Sequence, residues 1–167
     1  MEKNSVNRSK ILVVYYSRTG TTKTVAEAIR DVLRCEIDEI EDTKGRSGLI
    51  GWLMAGKDAG SGSLTKMSGV DKEPSQYDVV VMGSPTWNGH MSTPIRTYIT
   101  ENKDRLKRVA LFSTGDGDKP VALKDMEELA GKSPLATLHL VRKRDIEDGS
   151  YIEKVEEFAS KIKAQTA

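Results

Sequence analysis

Four hydroxyl side chains, Ser17, Thr19, Thr21 and Thr22, are gathered around one glycine in the run Ser17-Arg-Thr-Gly20-Thr-Thr22. Hydroxyls donate hydrogen bonds to oxyanions, Arg18 adds a positive charge, and Gly20 lets the backbone approach a bound group closely. The set suits a phosphate. Neither standard phosphate loop is present, since Gly-x4-Gly-Lys-Ser/Thr and Gly-x-Gly-x-x-Gly both need more glycines than this stretch holds. Ser and Thr ahead of a helix also serve as plain N-caps. Capping and anion binding are therefore both open at this loop, although four hydroxyls exceed what a cap needs.

The flanking sequence places the loop. An unbroken apolar run from Ile11 stops at Ser17, the pattern of a strand buried on both faces. Beyond the loop, Val25, Ala28, Ile29, Val32 and Leu33 form one stripe of an amphipathic helix. The hydroxyls thus lie at the carboxyl end of a strand and the amino end of a helix. Helix amides there lack partners and the helix dipole is positive, so an anion is favoured.

The same strand, loop and helix recur twice. Tyr77 to Gly83 is a second apolar strand, ending in Ser84-Pro-Thr-Trp-Asn-Gly-His90. A helix with Pro94 in its first turn follows. In this loop Pro85 stiffens the backbone, Gly89 permits close approach, and Trp87 offers a flat apolar face for a planar ligand. His90 either reaches a ligand or simply caps and faces solvent. Lys107 to Phe112 is the next strand, followed by Ser113-Thr-Gly-Asp-Gly-Asp118 and a helix from Val121 to Lys132. Asp116 and Asp118 are either turn formers or ligand contacts, and one Asp-Gly-Asp is poor evidence for a metal.

Three segments complete the pattern. Cys35 to Ile40 alternates apolar and acidic residues, as expected of an edge strand with one solvated face. Pro134 to Val141 is a fifth strand carrying His139, and Arg142-Lys-Arg-Asp145 reads as a solvated basic turn. Tyr151 to Ala164 closes the chain as a helix with Ile152, Val155, Phe158, Ala159 and Ile162 inward. Strands alternating with helices predict an α/β fold, a single domain with a doubly wound parallel five-stranded sheet. One ligand touches all three loops if the strand order is 2-1-3-4-5, with the switch point between strands one and three.

Ser17-x-Thr19-Gly20-x-Thr22 after a buried strand resembles the phosphate loop of the flavodoxin family, although that family usually has Asn where Thr21 stands. Gly83-Ser-Pro-Thr-Trp-Asn-Gly-x-Met91 is similar to the second flavin loop of flavodoxins and of their quinone-reductase relatives, and Ser113 to Asp118 resembles the third. The resemblance covers about residues 10 to 165. It implies noncovalent FMN, with Ser17, Arg18, Thr19, Gly20, Thr21 and Thr22 at the phosphate. Pro85, Thr86, Trp87, Asn88, Gly89 and His90 would flank the ring, and Ser113, Thr114, Gly115, Asp116 and Gly117 its polar edge. No catalytic side chain or metal is needed, because the flavin carries the electrons. The implied role is an electron carrier between redox partner proteins or to a small-molecule acceptor. The alternative is an NAD(P)H-dependent quinone or FMN oxidoreductase.

Composition sets the remaining expectations. The chain has 167 residues, 37% hydrophobic and 31% charged, with a formal net charge of +1. That balance gives no argument for nucleic acid, and no apolar run approaches the roughly 20 residues of a membrane span. Flavodoxins that shuttle electrons are typically acidic, and this chain is not. Residues 1–9 read as a disordered leader without a signal-peptide core, ahead of a domain over 10–167, and the expected setting is cytoplasmic. Cys35 is the sole cysteine, so no intrachain disulfide forms. The expected assembly is a monomer or weak homodimer. Residues 46–64 are glycine-punctuated, each glycine costing roughly 1 kcal/mol within a helix. Trp52 and Met54 there belong either to a crossover helix or to a cover near the ligand or a dimer contact.

Overall fold

The apolar run after Lys10 becomes β1, Ile11–Tyr15, with all five residues buried. The structure, a computed structural model, describes residues 8–42 and 67–167. Residues 1–7 of the expected leader and the Trp52–Met54 segment lie outside the described residues. The other main strands are β2 (Glu36–Glu39), β3 (Val79–Trp87), β4 (Arg108–Gly115) and β5 (Thr137–Val141). They form a parallel sheet in the order β2-β1-β3-β4-β5. This is the expected doubly wound order.

Among the described residues four α-helices cover the sheet: α1 (Thr21–Leu33), α2 (Thr93–Asn102), α3 (Val121–Ala130) and α4 (Tyr151–Ala164). Period-two alternation assigns the faces. Ile11, Val13, Val79, Val81, Ala110 and Phe112 pack with Val25 and Ile29 of α1 and Phe158 and Ile162 of α4. Leu12, Val14, Val80, Met82, Val109 and Leu111 pack with Ile95 and Ile99 of α2 and Met126 of α3. The central strands are apolar along Ile11–Tyr15, Val79–Met82 and Val109–Phe112 because both faces are covered there. Ile152 departs from its expected inward position and is 44% exposed. It sits in the first turn of α4, one turn before the stripe Val155, Phe158, Ala159 and Ile162 meets the sheet.

The chain leaves β1 toward β2 on one side and returns to β3 on the other, so the switch point lies where β1 and β3 adjoin. The strand-end loops of β1, β3 and β4 are neighbours there. Cys35, just before β2, is half-buried, and burial pushes its thiol up to about 12. Alkylation by iodoacetamide at pH 8 is expected to run more than a hundredfold slower than with a free cysteine, because the thiolate is the reacting form. Equal rates in native and urea-denatured protein would contradict this.

Candidate functional site

The first loop owes its shape to Gly20. It is the N-cap of α1 at φ 95, a left-handed conformation that suits glycine, and no side chain among the described residues caps the helix. Ser17 Oγ accepts from Gly20 N–H at 3.1 Å, and Thr24 Oγ1 donates back to the Gly20 carbonyl at 3.0 Å. Ser17 is thus taken up by the Gly20 amide, and no side chain among the described residues bonds the amides of Thr21, Thr22 or Lys23. The first-turn amides remain available to an anion, and the first turn carries no acidic residue to compete with one. Thr22 behaves differently from the other hydroxyls. It is 1% exposed, and its Oγ1 lies 2.8 Å from Thr114 Oγ1, tying the loop to the end of β4.

The second loop is a tight hairpin. β3 runs on to Trp87, and His90–Met91 pairs back against it, Trp87 opposite His90. Asn88 (φ 49) and Gly89 (φ 79) make the turn, the two positive φ values that a two-residue type I′ hairpin requires. Trp87 is only 6% exposed and meets Tyr16 edge-on at 5.3 Å between ring centroids. The sequence offered the indole as a flat face for a planar ligand, and in the structure most of the residue is buried in the core cluster that also holds Met91. His90 Nδ1 lies 2.9 Å from Asp125 Oδ2 on α3, and the same oxygen accepts the Met91 N–H at 3.2 Å. His90 is thus held against α3.

The third loop is braced by His139. Its Nε2 lies 2.7 Å from the Gly117 carbonyl, which only accepts, so that nitrogen carries the proton. Nδ1 lies 2.7 Å from the hydroxyl of buried Ser113, which donates to it when the ring is neutral. Gly115 is needed for close packing, since a Cβ there would stand 3.2 Å from Thr86. A Cβ at Gly117 would meet no protein atom within 4 Å.

These loops meet in one shallow cleft of about 100 Å3. Ser17, Arg18, Thr19, Thr21 and Thr22 line it from the first loop, Pro85, Thr86 and Trp87 from the second, and Thr114, Gly115 and Asp116 from the third. Gly20, Asn88, Gly89, His90, Ser113 and Gly117 do not line it; they shape the loops behind. Arg142 lines it as well, a residue the sequence presented as part of a solvated turn. A larger cavity of about 720 Å3 lies at the amino end of β1, around Lys10, Arg34 and Lys163. In open α/β sheets ligands bind at the carboxyl ends of strands, which sets that cavity apart.

The sequence profile of the flavodoxin family matches residues 10–141. The chain belongs to the flavodoxin family. Among solved structures, a flavoprotein from Lactobacillus acidophilus in complex with FMN shares 25% identity, with a TM-score of 0.70 over 85% of this chain and 99% of that one. The WrbA-like flavodoxin of Agrobacterium tumefaciens is 17% identical, with a TM-score of 0.60 over 95% and 99%. Oxidised flavodoxin 2 of Bacillus cereus is 21% identical, with a TM-score of 0.55 over 94% and 99%. The last two share the fold.

In this flavodoxin-family chain the residue behind Arg142 is a buried carboxylate. Asp145 is 1% exposed and accepts from Val141 N–H at 2.7 Å, Lys154 Nζ at 2.6 Å and Arg144 Nε at 3.0 Å. The Arg144 hydrogen bond, aided by Lys154 and the Val141 amide, holds its carboxyl well below the usual carboxylate range despite burial. A group depressed in the folded state contributes stability that is complete above its unfolded pKa of about 3.9 and is lost as pH falls toward its folded value. Asp145→Asn is expected to lower stability at pH 7 by roughly 2 kcal/mol, the worth of a charge-assisted hydrogen bond. It should also flatten the acid dependence below about pH 4 in urea unfolding. An unchanged acid profile would show that Asp145 does not set it.

Proposed function

We infer that this chain binds FMN noncovalently in the cleft and works as an electron-transfer protein, exchanging electrons with redox partner proteins or a small-molecule acceptor. The observation that carries this reading is the convergence of three strand-end loops on one cleft whose first wall is an uncapped helix terminus. The residues suit the group. The amides of α1 with Ser17, Thr19, Thr21 and Arg18 fit a phosphate dianion. Thr86 Oγ1 is buried at the cleft with no hydrogen-bond partner among the described residues, and a buried polar atom of that kind calls for a ligand or a water. The Lactobacillus acidophilus flavoprotein that shares this fold was solved with FMN.

When bound, FMN supplies the redox chemistry, taking up and returning electrons. The chain's own residues bind and orient it. Thr22 and Thr114 lock the first loop to the third, His139 keeps the third loop folded, and Pro85 and Trp87 give an apolar wall. The cleft is far smaller than the roughly 300–1,000 Å3 of a site that engulfs its ligand. Among the described residues a ligand of FMN's size therefore keeps an exposed side, through which electrons pass. Titration by flavin fluorescence should give one FMN per chain, with riboflavin bound at least a hundredfold more weakly. Equal affinity for the two would place the phosphate elsewhere.

A second reading is an NAD(P)H-dependent quinone-type oxidoreductase. The near-neutral formal charge of +1 favours it, because an acidic docking face for a basic reductase is not evident in the composition. Anaerobic mixing of the FMN-loaded protein with NADPH separates the two. The carrier stays yellow without another protein, whereas the oxidoreductase bleaches.

A further inference from the structure

We propose that Arg142 is a ring-facing residue of the cleft whose guanidinium stabilises the negative charge gained by the flavin on reduction; the proposal rests on the FMN reading above. Among the described residues two arginines line the cleft, and the sheet separates them. Arg18 follows β1 and Arg142 follows β5, with β3 and β4 between. At about 4.8 Å per strand, three steps put their backbones roughly 14 Å apart. Arg142 does not swing back toward the first loop. Its Nε is held 2.8 Å from Asp116 Oδ1 at the end of β4, and a terminal nitrogen is held 2.7 Å from Glu147 Oε1. The phosphate belongs with the free amides of α1, so the group that reaches Arg142 is the ring.

The position of Arg142 is built into the backbone. β5 ends at Val141 and passes directly into a π-helical turn, Arg142–Ile146, of which Arg142 is the first residue. Such turns are rare and cluster at functional sites. Asp145 fastens this one from behind through the Val141 amide and Lys154. The result is a cation held over the cleft from the side opposite the phosphate loop.

The polar and apolar walls orient the ring. Its pyrimidine edge bears carbonyls and an N–H that need partners, and the Arg142, Thr114 and Asp116 side offers them. Reduction adds a hydride, two electrons and one proton together, from an external donor such as a reduced nicotinamide, which leaves in its oxidised form. No bond to the protein forms or breaks. The product carries one net negative charge, spread over the pyrimidine edge. Asp116 and Glu147 without Arg142 would oppose that charge, and the guanidinium between them offsets it.

The test uses the FMN-loaded protein in four forms: wild type, Arg142→Gln, Arg142→Lys and Asp116→Asn. Spectroelectrochemistry reads the two-electron midpoint potential, and fluorescence reads the Kd for oxidised FMN. Arg142→Gln should weaken binding of reduced relative to oxidised flavin tenfold, which lowers the potential by about 30 mV. Arg142→Lys should retain most of the wild-type value, Asp116→Asn should raise it, and the Kd for oxidised FMN should change less than threefold. A potential unmoved in Arg142→Gln overturns the proposal. So does an equal fall in Arg142→Lys, or a loss of oxidised FMN matching that of reduced FMN, which would assign Arg142 to the phosphate. A wild-type protein that takes up no FMN removes the underlying reading and this proposal together, whereas uptake with a flat potential removes this proposal alone.

Discussion

Thr21→Asp is expected to abolish FMN retention while leaving the fold intact. Thr21 is the first residue of α1, beside the uncapped amides, and it lines the cleft. A carboxylate there stands about 5 Å from the phosphate. At an effective dielectric near 20, each phosphate charge is then repelled by roughly 3 kcal/mol. That is a loss of more than a hundredfold in affinity. The same substitution favours the helix, because the first turn has no acidic residue and an acid at a helix amino end contributes about 0.3–1 kcal/mol. Flavin affinity and thermal stability should therefore move in opposite directions. The flavin-free variant melts at or slightly above the wild-type temperature, and riboflavin, without the phosphate, binds nearly as before. Thr21→Val removes only a hydroxyl and should cost about 1 kcal/mol, five- to tenfold in Kd. Wild-type FMN affinity in Thr21→Asp would place the phosphate away from this helix.

Gly83→Ala should produce the largest loss of stability in the sheet. Gly83 pairs with Phe112 across β3 and β4, and a Cβ at Gly83 would fall within the Phe112 ring. That ring is fully buried among the residues of α1 and α4, so it has nowhere to retreat. Overpacking of this kind costs about 3 kcal/mol, a drop in Tm of roughly 6–12 °C for a chain of this size. Phe112→Leu alone opens a cavity, but combined with Gly83→Ala it should restore part of the loss, a favourable coupling in a double-mutant cycle. Additive effects of the two changes would show that glycine is not required by the ring.

The central strands were legible because burial on both faces writes them as unbroken apolar runs, as at Ile11 and Val79. Their order was legible because three separate loops had to share one ligand. Side-chain direction within the loops was harder. Thr22 was grouped with the phosphate hydroxyls, yet it stands on the stripe Thr22, Val25, Ala26, Ile29, Leu33 that faces the sheet. Its spacing carried that information once the helix start was known. Asn88-Gly89 is a strong hairpin signal that a plain loop reading passes over. Trp87 was read only as a flat face for a ligand, and the hairpin also packs it edge-on against Tyr16. Arg142 was missed for a different reason. A run of Arg-Lys-Arg looks solvated by composition, and only the buried contacts of Asp145 reveal that the turn is fixed and aimed at the cleft.

The most direct measurement is an amide NMR titration of the flavin-free protein with FMN. The shared-cleft arrangement predicts that amide resonances of residues 17–22, 86–87 and 114–116, with Arg142, shift together and saturate at one equivalent. Riboflavin should leave residues 19–22 nearly unmoved. Shifts confined to a single loop, or gathered instead around Lys10 and Lys163 at the opposite end of the sheet, would contradict it.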